Sequence, residues 1–139
     1  MRIQKILLYI EPKALVEPIS LFAMNLARPY DARVFALSII KHQIPEIKAR
    51  SEEQAWKRLY EIEEDAFEAG IKTSLLLEEI ETVTQNRLTT KLINLCQTFK
   101  TDLLVVSSDA KLNIKKLIGE TTIPIIIVPP IQNLSKLEV

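Results

Sequence analysis

Glycine is nearly absent: the 139 residues contain two, Gly70 and Gly119. Phosphate-cradling loops need several glycines close together, because backbone N–H groups must reach the anion with no Cβ in the way. Neither G-x-G-x-x-G nor G-x-x-x-x-G-K-[ST] can be built, which excludes P-loop and dinucleotide-fingerprint chemistry. The single cysteine, Cys96, makes no internal disulfide. With the single His42 it cannot supply a four-ligand Cys/His zinc site, so no metal is expected. A charge excess is missing too. Eighteen basic and eighteen acidic residues cancel, leaving no bulk pull on nucleic acid or an anionic membrane. No run of about 18 apolar residues exists to span a bilayer. The opening Met1-Arg2-Ile3-Gln4-Lys5 enters a short apolar run without a small-residue cleavage site, unlike a signal peptide. A cytoplasmic location is expected.

What is present suffices for one core. The chain is 47% hydrophobic with mean hydropathy +0.11, which predicts a single domain over residues 1–139. Apolar runs at 3–10, 33–40, 72–77, 103–106 and 123–128 read as strands buried on both faces. Between them, apolar residues recur at spacings of three and four. A first helix is predicted from Ala14 to Tyr30, with Pro18 in its first turn or a start nearer Glu17. Lys41 to Arg50 reads as a polar loop. Ser51-Glu52-Glu53-Gln54 then fits a capping box opening a long helix to Ala69. Its stripe is Ala55, Leu59, Ile62, Ala66 and Ala69, with Trp56, Tyr60, Glu63 and Phe67 beside it. Gly70 follows as a left-handed cap. Thr84 to Phe99 and Leu112 to Glu120 complete the helices. Pro129-Pro130 stops the last strand, and residues 131–139 are expected to be a loose or partner-bound tail. Strict alternation predicts an α/β, Rossmann-like three-layer sandwich with a parallel sheet covered on both faces.

Several phrases in this order resemble the universal stress protein family. Glu68-Ala69-Gly70-Ile71-Lys72 is similar to its "A-G-V" junction between helix and strand. Asp102-Leu103-Leu104-Val105-Val106 is similar to its "D-L-I-V-V" fourth strand, and Ile123-Pro124-Ile125-Ile126-Ile127-Val128 to its closing "C-P-V-L-V-V" strand. The resemblance covers residues 3 to 130. It implies five parallel strands in the order 3-2-1-4-5 and a dimer; many members also bind ATP.

Nucleotide-binding members carry G-x-x-G, a spacer of about nine residues and G-[ST] after strand four, so that glycines and a helix N-terminus hold the phosphates. Here the region runs from Ser107 through Ser108, Asp109, Ala110 and Lys111 to Gly119. Ala110 replaces a glycine, the spacer and the G-[ST] are missing, and Gly119 belongs to the late helix. The family's Asp after strand one is Glu11 here, followed by Pro12. Without phosphate-binding amides its charge would repel a triphosphate. No cofactor is therefore expected, ATP included.

The ends of strands one and four flank the crevice where sheets of this order bind ligands. Glu11, Ser107, Ser108 and Lys111 are the candidate ligand-binding residues. The competing reading has Ser108 or Asp109 capping the last helix. Lys111, Lys115 and Lys116 read as a solvated basic face near Glu120. His42 reads as a surface-loop residue and Cys96 as a small buried hydrophobe. No nucleophile, base and oxyanion donors come together, so no catalytic residue is assigned. In the 3-2-1-4-5 order the last strand is an uncharged edge. Such an edge invites pairing with another chain. In the resembled family this strand pairs with its copy, so the resemblance implies Ile123, Ile125, Ile126, Ile127 and Val128 as a homodimer strand about a two-fold axis. The expected function is a non-catalytic, non-ATP-binding dimeric interaction or regulatory module with a protein partner of unknown identity. The alternative is a nucleotide or small-ligand binder with a rearranged pocket at the crevice.

Overall fold

The computed structural model describes residues 2–129, so the expected tail, 131–139, lies outside the described residues. Strands β1 (Lys5–Tyr9), β2 (Arg33–Lys41), β3 (Thr73–Ile80), β4 (Leu103–Ser107) and β5 (Ile125–Val128) alternate with four helices. These are α1 (Ile19–Ala27), α2 (Pro45–Ala69), α3 (Gln85–Phe99) and α4 (Ile114–Glu120). Every pairing is parallel, as the alternation of elements predicts, and the order is β3-β2-β1-β4-β5, as the family resemblance implies.

Alternate residues of each strand feed separate cores. Ile6, Leu8, Val34, Ala36, Leu103 and Val105 face Ala23 and Met24 of α1 and Leu59, Ile62 and Ala66 of α2. Leu7, Tyr9, Leu37, Ile39, Leu104 and Val106 share the other core with Leu88, Leu92, Leu95 and Cys96 of α3 and Leu117 of α4. Burial on both faces is why the inner strands carry continuous apolar runs. Asp102 aligns β1 with β4: its Oδ2 accepts the N–H groups of Gln4 at 2.9 Å and Lys5 at 3.0 Å. Among the described residues, no helix is long and apolar enough to cross a membrane.

Several boundaries differ from expectation: β1 is trimmed to Lys5–Tyr9, β3 runs on to Ile80 beside β2, α4 starts at Ile114 rather than Leu112, and four further differences have a local reason. Helix α2 begins at Pro45, so Ser51 lies inside the helix and caps nothing. Proline at the first helical position has its φ preset and lacks an N–H that would be orphaned there anyway. Lys48 then stabilises this turn through Glu52 at 3.7 Å and Glu79 of β3 at 2.7 Å. Helix α1 is shorter than predicted: it starts after Pro18, and a 3-10 turn, Arg28–Tyr30, ends the run. Neither Ser108 nor Asp109 caps α4. Asn113 does, its side chain accepting the Lys116 N–H at 3.0 Å. Finally, β5 starts at Ile125. Pro124 has no N–H but its carbonyl accepts from Leu104 at 3.0 Å, and Ile123 packs inward beside the α3 and α4 core. Ile123 is therefore removed from the edge-strand set.

Gly70 ends α2 at φ +70, as expected for a left-handed cap. A Cβ there would meet no atom within 4 Å, so the cost of alanine is one of backbone conformation alone. Gly70→Ala is expected to lower unfolding free energy by about 1–2 kcal/mol. Urea denaturation followed by circular dichroism measures it, and an unchanged midpoint would refute the cap assignment.

Candidate functional site

Strands β1 and β4 are neighbours, with Ile6 opposite Leu103 and Leu8 opposite Val105. Their carboxyl ends open at one level, where the chain turns to β2 on one side and to β5 on the other. That is the position at which an open α/β sheet forms a ligand crevice. The structure brings Glu11, Ser107, Ser108 and Lys111 to this point and shows what each does there.

Residues 108–113 link β4 to α4, and the link folds down onto the crevice. The Lys111 N–H donates to Glu11 Oε2 at 3.2 Å. Ser108 N–H continues the β4–β5 ladder by donating to the Val128 carbonyl at 2.9 Å, and Ala110 N–H closes a turn on the Ser107 carbonyl at 3.2 Å. The Ser107 hydroxyl donates to Asp109 Oδ1. Leu112 is 3% exposed and joins the core that holds Tyr9 and Leu117. Asn113 N–H donates to Thr89 Oγ1 at 2.9 Å, and its Nδ2 donates to Asn86 Oδ1 at 2.8 Å, which pins the start of α4 to α3. The Lys111 and Ser108 amides, which could have faced an anion, are spent on protein acceptors.

The electrostatics are those of a carboxylate drawn into the protein. Burial raises the Glu11 pKa above its ordinary 4.5, the Lys111 N–H and the Lys111 charge pull it down, and Asp109 pushes it up again; the net direction is upward. Burial, and after it the Glu11 charge, raise the Tyr9 hydroxyl well above its usual range. Lys116 pairs with Glu120 at 2.7 Å, as a solvated basic face requires. Cys96 is buried, its thiol pushed up to about 11 mainly by desolvation.

One cluster was not legible in the sequence. His42 Nδ1 lies 2.9 Å from Glu79 Oε2, and Lys48 Nζ reaches Glu79 Oε1 at 2.7 Å. The His42 bond, then the Lys48 bond, hold the Glu79 carboxyl below its ordinary value. The residues are 37 apart in the chain and meet because β2 and β3 end side by side. A cleft of about 370 Å³ adjoins them, lined by His42, Gln43, Pro45, Lys48, Ala49 and Glu52. Among the described residues, no three His, Cys, Asp or Glu side chains group to hold a metal.

Because the Glu11 pKa is raised in the fold, the native state holds a proton that the unfolded state releases. The stability this contributes is full below about 4.5 and is lost as pH rises through the raised value. Glu11→Gln keeps an uncharged acceptor at all pH. Relative to this variant, wild type is expected to lose stability as pH rises from 4 towards neutrality. Parallel urea curves across pH measure the difference. A flat difference would show that Glu11 is not held in a desolvated site.

No protein-family model matches the sequence, and no curated protein matches it. Solved structures do match its fold. A universal stress protein family member from Burkholderia pseudomallei superposes with TM-score 0.75 at 15% identity, covering 91% of this chain and 96% of that one. The universal stress protein from Archaeoglobus fulgidus in complex with dAMP gives 0.70 at 14% identity over 92% of this chain and 99% of that one. A family protein from Arabidopsis thaliana with AMP bound gives 0.63 at 11% identity over 91% and 92%. The chain has the fold of universal stress proteins.

Proposed function

We propose that this chain is a universal-stress-like interaction module, neither a catalyst nor an ATP binder, that dimerises through β5. The observation carrying the ATP half is the link 108–113 closed on Glu11. A triphosphate would need amides that already serve Glu11 and Val128. It would also sit against two carboxylates, Glu11 and Asp109, whose charges are mutually repulsive. Opening the link would expose Leu112 and break the Lys111 bond for a weak anion site. The Ser107 hydroxyl is held by Asp109 two residues on, within its own turn, and the site residues include no partnered oxyanion donors to go with it.

The dimer half rests on the backbone of β5. Leu104 N–H binds the Pro124 carbonyl and Ser108 N–H the Val128 carbonyl. Residues 124, 126 and 128 therefore turn their backbone groups inward, and Ile125 and Ile127 turn theirs outward. Ile127 is 41% exposed and the strand carries no charge, so a second copy can supply the missing partners about a two-fold axis.

A second reading keeps the crevice as a small-ligand site built on Glu11, Ser107, Ser108 and Lys111. What favours it is that similarly folded proteins hold dAMP and AMP. Calorimetric titration with ATP and Mg²⁺, and separately with AMP, tests both. No heat with either is expected; micromolar ATP binding would overturn the first reading. AMP binding abolished by Glu11→Ala would establish the second. For the dimer, Ile127→Lys places a charge on the edge, and sedimentation is expected to show a shift from dimer to monomer. A wild-type monomer at tens of micromolar would overturn that half.

A further inference from the structure

The opposite edge of the sheet is longer than β5 and better equipped. Strand β3 runs eight residues, Thr73–Ile80, and is paired along one side only, to β2. Val34 N–H binds the Lys72 carbonyl at 2.9 Å and His42 N–H binds the Ile80 carbonyl at 2.7 Å. With that register unbroken, even-numbered residues turn their backbone groups to β2 and odd-numbered ones turn theirs out. The Thr73 carbonyl accepts from Arg33 Nη1 at 3.3 Å. Leu75 and Leu77 present N–H and C=O pairs with no partner among the described residues. Charged edge residues come only at the far end, where Glu78 is drawn to Lys91 of α3 and Glu79 to Lys48 of α2. The stretch from Thr73 to Leu77 carries none of the charges or prolines that guard edges.

Helix α2 adds a wall beside this edge. Glu53, Trp56, Tyr60, Glu63 and Phe67 repeat at spacings of three and four, forming one stripe along the helix. The opposite flank, with Arg58, Glu61, Asp65 and Glu68, lines a cleft with Leu15, Val16 and Glu17 on the α1 side. The stripe therefore lies on the flank turned away from α1. Since α2 packs over β2 and β3, that flank runs along the β3 edge. Phe67 is 86% exposed and Tyr60 57%, and Tyr60 stacks on Trp56 with ring centroids 5.6 Å apart. The stripe holds three aromatic rings and two carboxylates and no base.

We propose that the β3 edge takes an extended, basic segment of a partner protein as an added strand. Leu75 and Leu77 supply the backbone bonds, while Tyr60, Phe67, Glu53 and Glu63 receive Lys or Arg side chains from alternate positions. Strand addition needs unpaired backbone groups for affinity and a flanking wall for selectivity, and both are in place. Carboxylates and ring faces both attract ammonium and guanidinium groups. A second copy does not fit as well. Two-fold pairing of β3 with itself would bring two α2 stripes side by side, each with Glu53 and Glu63 and neither with a base to balance them. The inference rests on the interaction-module reading above and names the chemistry of the partner, but it needs neither the β5 dimer nor the fate of ATP.

The probe is a capped seven-residue peptide of alternating Lys and Val, with a Glu–Val peptide as its counterpart. Trp56 is the single tryptophan and reports from the stripe itself. The Lys–Val peptide is expected to change Trp56 emission saturably and the Glu–Val peptide to leave it unchanged. Glu53→Lys with Glu63→Lys, both at the surface, should weaken binding about tenfold or more. Leu75→Pro, which removes one outward N–H, should do the same, and the charge variants carry the test if this one fails to fold. No saturable change, equal response to both peptides, or binding indifferent to the charge variants overturns the proposal. So does sedimentation showing a wild-type oligomer that Leu75→Pro dissociates, because the edge would then serve a second copy. The same titration on Ile127→Lys protein separates failure at β5 from failure at β3.

Discussion

A parallel sheet satisfies the backbone of its inner strands and leaves its two outermost strands half paired, and most of this molecule is arranged around that constraint. β1, β2 and β4 have neighbours on both sides and helices over both faces, so their interiors are apolar, broken only by the buried Ser38 of β2, and define the core. The outer strands cannot. Every residue of β3 is partly exposed, and β5 leaves Ile127 in solvent. Unpaired N–H and C=O groups beside apolar side chains are the strongest non-covalent invitation a sheet can issue to another chain. Reading this protein as one that meets partners rather than one that turns over substrates starts from those two edges.

The same topology makes a crevice at the carboxyl ends of β1 and β4, and the link after β4 bonds to Glu11 there. A fold alone does not decide whether such a crevice binds anything. On the reading proposed above, the link 108–113 decides it here. Leu112 is drawn into the core, which pulls the loop down. Once down, its Lys111 amide lies within reach of Glu11, and Asn113 is placed to cap α4 while binding Thr89 of α3. Burial of one leucine thus aligns a set of polar bonds that a ligand would have to displace together. A longer, glycine-rich link would have been free to stand away and offer its amides outward.

Much of this was legible from residue spacing. The apolar inner strands, a parallel sheet covered on both faces and the Gly70 cap follow from periodicity and local pattern, because burial on two faces writes itself directly into sequence; the strand order came from the family resemblance. What was missed involves polar groups serving unexpected purposes. Pro45 to Arg50 looks like a loop because it is polar, yet it is the first part of α2, held by Lys48 reaching a strand that comes later in the chain. The pairing of His42 with Glu79 depends on two strands ending side by side, which no local pattern records. Asn113 did carry a signal, since asparagine before an apolar helical run is a cap in its own right. It was outweighed by Ser108 and Asp109, which stand nearer the strand and turn out to serve the turn and the ladder. Ile123 shows the opposite failure: an apolar residue beside a strand reads as part of it, although Pro124 interrupts the run before the edge begins.

The two edges differ in a way that bears on which chain each would accept. β5 is four residues long, wholly apolar and uncharged, so a two-fold copy brings like against like without cost. β3 is twice that length, and the helix beside it carries Glu53 and Glu63 among its rings. Symmetry makes that arrangement unfavourable for self-pairing, because each carboxylate stripe would lie beside its own image with no base to balance either. The chain as a whole has no net charge, so this asymmetry is local and arises from how acidic residues are distributed along α2. From Glu61 to Glu68 the helix holds five acids and no base. On the proposed reading, charge on one edge and its absence on the other sort two kinds of contact on a single sheet. A copy of the same chain is admitted where nothing repels it, and a basic stranger where only a stranger's charge can balance the wall.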